Sequence, residues 1–92
     1  MRRPLTDTYS FALEHADKKL RLVIYEGDTE LVCRKEERKR LEAFLLRDSD
    51  HIFKGRLQLL KKKDIIAVQV KGKVVGQLNT ADFQHMLHEG NK

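Results

Sequence analysis

The chain has 92 residues, with 19 Lys or Arg against 14 Asp or Glu, for a formal net charge of +5 at pH 7. That length sets a single small core, and 40% hydrophobic with 36% charged residues excludes a disordered polyelectrolyte. The one cysteine, Cys33, excludes an internal disulfide framework, and no apolar run approaches bilayer-spanning length. A reduced, cytoplasmic protein with no membrane segment is expected.

Residues 1–7 carry little apolar content and read as a flexible N-terminal arm before one compact domain over 8–90. From Tyr9 the chain alternates: Tyr9, Phe11, Leu13 and His15 on one side, Ser10, Ala12 and Glu14 on the other. A period of two signals a strand, although Ala12-Leu13-Glu14 also suits a helix. Ala16-Asp17-Lys18-Lys19 reads as a turn, and residues 20–25 (LRLVIY) as a strand, together an N-terminal hairpin. Gly27 breaks the pattern next, and residues 30–33 either finish a strand or begin a helix. The helix expected over 35–47 is set by Leu41, Phe44 and Leu45 at i, i+3 and i+4.

Residues 51–60 read as one strand, with Phe53, Leu57 and Leu59 inward and Lys54, Arg56 and Gln58 sharing a solvent face. Gly55 falls on the apolar side, where it marks a bulge or a close backbone approach. Residues 65–70 (IIAVQV) are almost continuously apolar and predict a central strand. Lys71-Gly72-Lys73 then makes a tight connection to residues 74–78, and hairpin geometry accounts for both Gly72 and Gly76. Asn79 or Thr80 caps a final helix whose buried stripe is Phe83, Met86 and Leu87 and whose stop is Gly90. No internal repeat is evident. The fold class is α+β, with an antiparallel sheet that curls toward a small barrel, a central helix and a C-terminal helix.

The charge is unevenly placed. Residues 34–73 hold 13 Lys or Arg and 6 Asp or Glu, a balance of +7, and the rest of the chain is slightly acidic. Arg34, Lys35, Lys54, Arg56, Lys61, Lys62, Lys63, Lys71 and Lys73 are the candidate nucleic-acid-binding residues. If they adjoin, they form a positive field for a phosphate backbone, DNA or RNA. The competing reading is a set of solvated faces that keep a small β-rich protein soluble and guard its edges.

Catalytic chemistry has no support. No nucleophile elbow, P-loop, dinucleotide fingerprint or HExxH is present. His85 and His88 stand at i, i+3, but no further ligand completes a metal set, so no metal or cofactor is expected. His15 and His51 read as structural or exposed. Cys33, beside Leu31 and Val32, reads as a buried apolar thiol rather than a nucleophile activated by Arg34 and Lys35. Tyr9, Phe11 and Tyr25 are the aromatics that can stack on bases, yet strand parity buries Tyr9 and Phe11. Phe44, Phe53 and Phe83 belong to the core.

Residues 64–78 (DIIAVQVKGKVVGQL), followed by the helix over 80–88, resemble the end of a HIRAN domain. That family has an "AIAV" strand, a short glycine-bearing hairpin, a "VG-aromatic-L" strand and a closing helix. The resemblance implies a small OB- or SH3-like barrel that binds DNA ends, alone or attached to a helicase. It covers about 25 residues. Lys61-Lys62-Lys63 replaces the polar stretch usual before the apolar strand, Gln77 stands where an aromatic is common, and Asn79 where proline is common. No binding residue is carried over from the family.

The sequence thus predicts a small non-enzymatic nucleic-acid-binding module acting through residues 34–73. The alternative is a protein-interaction or homo-oligomeric assembly domain. No small-molecule substrate is evident.

Overall fold

The structure, a computed structural model, describes residues 2–89. The chain runs β1 (Arg2–Pro4), β2 (Tyr9–Ala16), β3 (Lys19–Glu26), β4 (Thr29–Glu36) and α1 (Arg38–Leu46), then β5 (Ser49–Ile52), β6 (Leu57–Lys62), β7 (Ile65–Val70), β8 (Lys73–Asn79) and α2 (Thr80–Glu89). β1 to β4 form one antiparallel meander and β5 to β8 a second, each with sequence neighbours side by side. The α+β class holds, but the strands make two open sheets rather than a closed barrel.

The chain is a structural repeat, contrary to the expectation of none. Each half is four strands and a helix, ββββα, and the connections match in kind. Four residues join the first two strands, at 5–8 and 53–56, and two-residue turns follow at Asp17-Lys18, Gly27-Asp28, Lys63-Asp64 and Lys71-Gly72. The first residue of every two-residue turn has positive φ: Asp17 59°, Gly27 59°, Lys63 56° and Lys71 54°. Gly72 adds φ 82°, giving Lys71-Gly72 the two left-handed residues of a type I′ hairpin, whose twist matches that of the flanking strands. The bulges also coincide. In the first half the register shifts between Ile24 and Tyr25, passing over Leu31; in the second it shifts between Val68 and Gln69, passing over Val75. A backbone hydrogen bond from Gly27 N–H to Thr8 O (2.9 Å) is matched by one from Lys71 N–H to Arg56 O (2.8 Å).

One core unites the halves. Phe11, Leu13, Leu22 and Ile24 from the first sheet share a cluster with Leu59, Ile66 and Val68 from the second. The helices close it through Leu41 and Phe44 on α1 and Phe83, Met86 and Leu87 on α2. These stripes follow the predicted i, i+3, i+4 spacing, and the Phe11 and Phe83 rings meet at 5.7 Å between centroids. Asn79 caps α2 by accepting the Asp82 N–H at 2.7 Å, whereas Glu37 at the start of α1 makes no side-chain cap.

Further readings change. Over residues 1–7 the described part is structured: Arg2, Arg3 and Pro4 pair with Ala12, Phe11 and Ser10, and Leu5 packs on the core. Residues 29–36 are all strand, so α1 starts at Arg38, not at residue 35. The single strand expected over 51–60 is two antiparallel strands, with His51 opposite Leu60 and Ile52 opposite Leu59. Cys33 is exposed, because it faces outward on the edge strand β4 opposite Val23. Gly76 serves a close approach and not a hairpin: a Cβ there would lie 2.6 Å from Leu5 Cβ. The helix stop expected at Gly90 lies outside the described residues.

Candidate nucleic-acid interface

The nine predicted residues divide into separate groups. Five gather at one corner. The Lys71 N–H bond to Arg56 O brings the β7–β8 turn against the connection over 53–56, which carries Lys54 and Arg56. Arg34, on the edge strand β4, lays its guanidinium over the Phe53 ring at 4.6 Å from the centroid. Its Nη1 lies 3.7 Å from the point a Cβ on Gly55 would occupy, an ordinary contact distance. Lys73 opens β8 beside the turn. A cavity of about 390 Å³ lies here, lined by Glu30, Val32, Arg34, Arg56 and Leu57 among others. Glu30, its acidic member, is engaged by Arg21. Among the described residues, none of Arg34, Lys54, Arg56, Lys71 and Lys73 joins an ion pair.

Lys62 and Lys63 lie at the opposite end of the β6–β7 hairpin, about 20 Å away at the usual strand rise. Lys61 is not available to a ligand. Its parity turns it inward, it is 7% exposed, and its Nζ donates to Arg47 O and to Lys63 O (2.7 Å). There it ties the end of α1 to the β6–β7 turn, the two carbonyls satisfying its buried ammonium. Lys35 lies apart from the corner, on the outward face of the first sheet opposite Arg21. Lys54, Arg56 and Gln58 do not share a strand face as expected, since Lys54 and Arg56 occupy the connection before β6.

Sequence reasoning missed two features. Arg21 donates to Glu14 (2.8 Å) and to Glu30, and these carboxylates hold its pKa above the ordinary arginine value. Arg2 lies over the Tyr25 ring at 4.2 Å and donates to Gly27 O at 2.6 Å. Both are cross-strand arrangements that emerge only once the register is fixed. Of the aromatics, Phe11 is fully buried and Tyr9 packs against the core.

Among the described residues, no group of three or more His, Cys, Asp or Glu side chains comes together to hold a metal ion. No helix among them is long and apolar enough to cross a membrane. No protein-family model, curated protein or solved structure matches this chain.

Proposed function

We propose that this protein is a non-enzymatic nucleic-acid-binding module that grips the phosphate backbone with Arg34, Lys54, Arg56, Lys71 and Lys73. The observation that carries this reading is internal to the chain. The same corner is built in the first half by the Gly27 N–H bond to Thr8 O, and there the corresponding residues are Thr6, Thr8, Gly27 and Thr29. Four of the five cations thus have uncharged counterparts, so Lys54, Arg56, Lys71 and Lys73 are not a structural requirement of the turn, whose first-half copy is met instead by Arg2 donating to Gly27 O. Unpaired cations on a fixed backbone corner suit a polyanion, whose counterions are released on binding. The position of Arg34, stacked on Phe53, favours the planar guanidinium geometry that recognises phosphate.

A charge-matched pair of variants tests the proposal. Arg56→Glu with Lys71→Glu reverses the corner, and Lys18→Glu with Lys19→Glu makes the same charge change at exposed positions of the β2–β3 hairpin. Titrated at two salt concentrations against labelled DNA and RNA oligomers, the corner variant is expected to lose at least about tenfold in affinity. Its salt slope should fall by about 0.7–0.9 for each phosphate it no longer neutralises. The hairpin control should keep most of its binding. No binding by the native protein at low salt, or equal loss in both variants, overturns the proposal. The lysine run is a poor target, because reversing Lys61 removes a buried donor.

One feature favours the alternative of a protein partner. Leu46 is 87% exposed beside a cavity of about 260 Å³ between the helices, lined by Arg38, Glu42, Leu45 and Leu87 among others. A concentration-independent monomer in sedimentation excludes self-association through it.

A further inference from the structure

The outward faces of the two sheets are built on the same grid and finished differently. The middle row of the first is Arg2, Ala12, Val23 and Cys33, directly opposite one another across β1 to β4. That of the second is His51, Leu60, Ala67 and Gln77 across β5 to β8. The first face is roofed by its own side chains. Arg2 lies over Tyr25, Arg21 is held between Glu14 and Glu30, and Val23 and Ala12 beneath are buried. On the second face, Arg21 is replaced by Ile65, Glu14 by Lys62, Glu30 by Val74 and Tyr25 by Gln69, by register. No ion clamp can form there, so Leu60 and Ala67 are only half-buried, and Ile65 and Val74 are exposed.

No outward strand position of this second face carries a carboxylate. The adjacent acids are Asp50, which lies against Arg47, accepts the His51 N–H and lines the concavity below, and Asp64 in the turn. Gln69 and Gln77 supply amides able to donate and to accept, whereas Gln58 is engaged by His51 and Gly55 and Asn79 by the start of α2. The exposed His51 ring has its Nε2 2.8 Å from Gln58 Oε1, and Gln58 in turn donates to Gly55 O. A concavity of about 510 Å³ lies between Asp50, His51, Leu60, Lys62, Ile65 and Ala67. Cations stand at both ends of the face, Lys62 and Lys63 at one, Arg56, Lys71 and Lys73 at the other.

We infer that a single nucleic-acid strand lies across this face, its phosphates at the two cationic ends and its bases against the apolar and amide grid. The inference rests on the corner reading above and names its substrate class. A polyanion complements a face with cations at both ends, no carboxylate on its outward strand positions and the one acid at its rim, Asp50, paired with Arg47. Unstacked bases offer flat apolar faces and polar edges, which match Leu60 and Ala67 beside the exposed imidazole of His51 and the flanking amides. A duplex keeps its base faces stacked inside and has nothing to lay on this grid, and no helix projects from it to enter a groove.

The experiment compares three probes of equal phosphate number with the full chain: a thymidine oligomer, the same backbone without bases, and a duplex. The native protein is expected to bind the thymidine oligomer about tenfold more tightly than the abasic one. His51→Ala should abolish that preference while leaving abasic binding unchanged, and His51→Phe should restore it, because stacking and not hydrogen bonding is the role assigned to the ring. Equal affinity for the thymidine and abasic oligomers, or a preference untouched by His51→Ala, overturns this inference while leaving the corner standing. Tighter binding of the duplex also overturns it. Binding of neither polymer at low salt overturns both. A stable dimer that Leu60→Glu dissociates overturns it too, since the face would then belong to a second copy.

Discussion

The two halves of this chain have the same plan and opposite surfaces. The first neutralises itself: Arg21 between Glu14 and Glu30, Arg2 over Tyr25, and a hydroxyl-bearing corner at Thr6 and Thr8. The second leaves its corner cations without carboxylate partners and its sheet face without a roof. A repeat provides its own control. Whatever both halves share is explained by folding, and whatever only one half carries calls for another explanation. The shared features are the turn conformations, the bulges and the helix stripes; the unshared ones are Lys54, Arg56, Lys71 and Lys73, which Arg34 of the first half joins, and the open row from His51 to Gln77.

Gly76 is the sharpest place to break the equivalence. Its counterpart by register is Val32, which is buried without conflict, whereas any Cβ at Gly76 meets Leu5 at 2.6 Å. Gly76→Ala should destabilise by about 1–3 kcal/mol in urea unfolding, the usual cost of overpacking. Leu5→Gly, which removes the clashing Cβ, should cost less in the Gly76→Ala background than in the native chain; equal costs would place the loss elsewhere in β8. The helix starts give a smaller contrast. Asn79→Ala removes the acceptor for Asp82 N–H and should cost about 1 kcal/mol, while Glu37→Ala, with no side-chain cap to lose, should stay within about 0.5 kcal/mol. The smallest effect has the opposite sign. Lys71 holds φ 54° with a side chain that disfavours it, so Lys71→Asn should raise stability by roughly 0.5 kcal/mol. The same change should weaken nucleic-acid binding, which separates the residue's charge from its backbone role.

Much of the fold was legible because its signals are local. The turns at Asp17-Lys18 and Lys71-Gly72, the apolar run at 65–70 and the stripes of both helices depend on neighbours in sequence. Strand β1 was hidden because Arg2-Arg3-Pro4 has no apolar residue to signal burial. The connection over 53–56 imitated a strand: Phe53 and Leu57 are buried and Lys54 and Arg56 exposed, the pattern of alternation, although the chain reverses between them. The repeat was invisible because corresponding positions hold dissimilar residues, with Leu13 matched by Lys61 and Val32 by Gly76. Geometry is shared between the halves where chemistry is not. The corner was legible as a basic region, but its membership was not, since burial removes Lys61 and strand parity removes Lys35.

The pairing of strands only with their sequence neighbours has a kinetic consequence. All six pairings close through connections of two or four residues, so little chain entropy is lost before each hydrogen-bonded ladder forms. Such low contact order favours rapid folding of each meander on its own. During synthesis the first meander can form before the second exists, and its outward face is already covered by Arg2, Tyr25 and Arg21, which limits sticky intermediates. Docking of Leu5 on Gly76 ties the β1–β2 connection to the penultimate element, so the arrival of β8 adds a late contact to the core that Leu59, Ile66 and Val68 share with the first sheet.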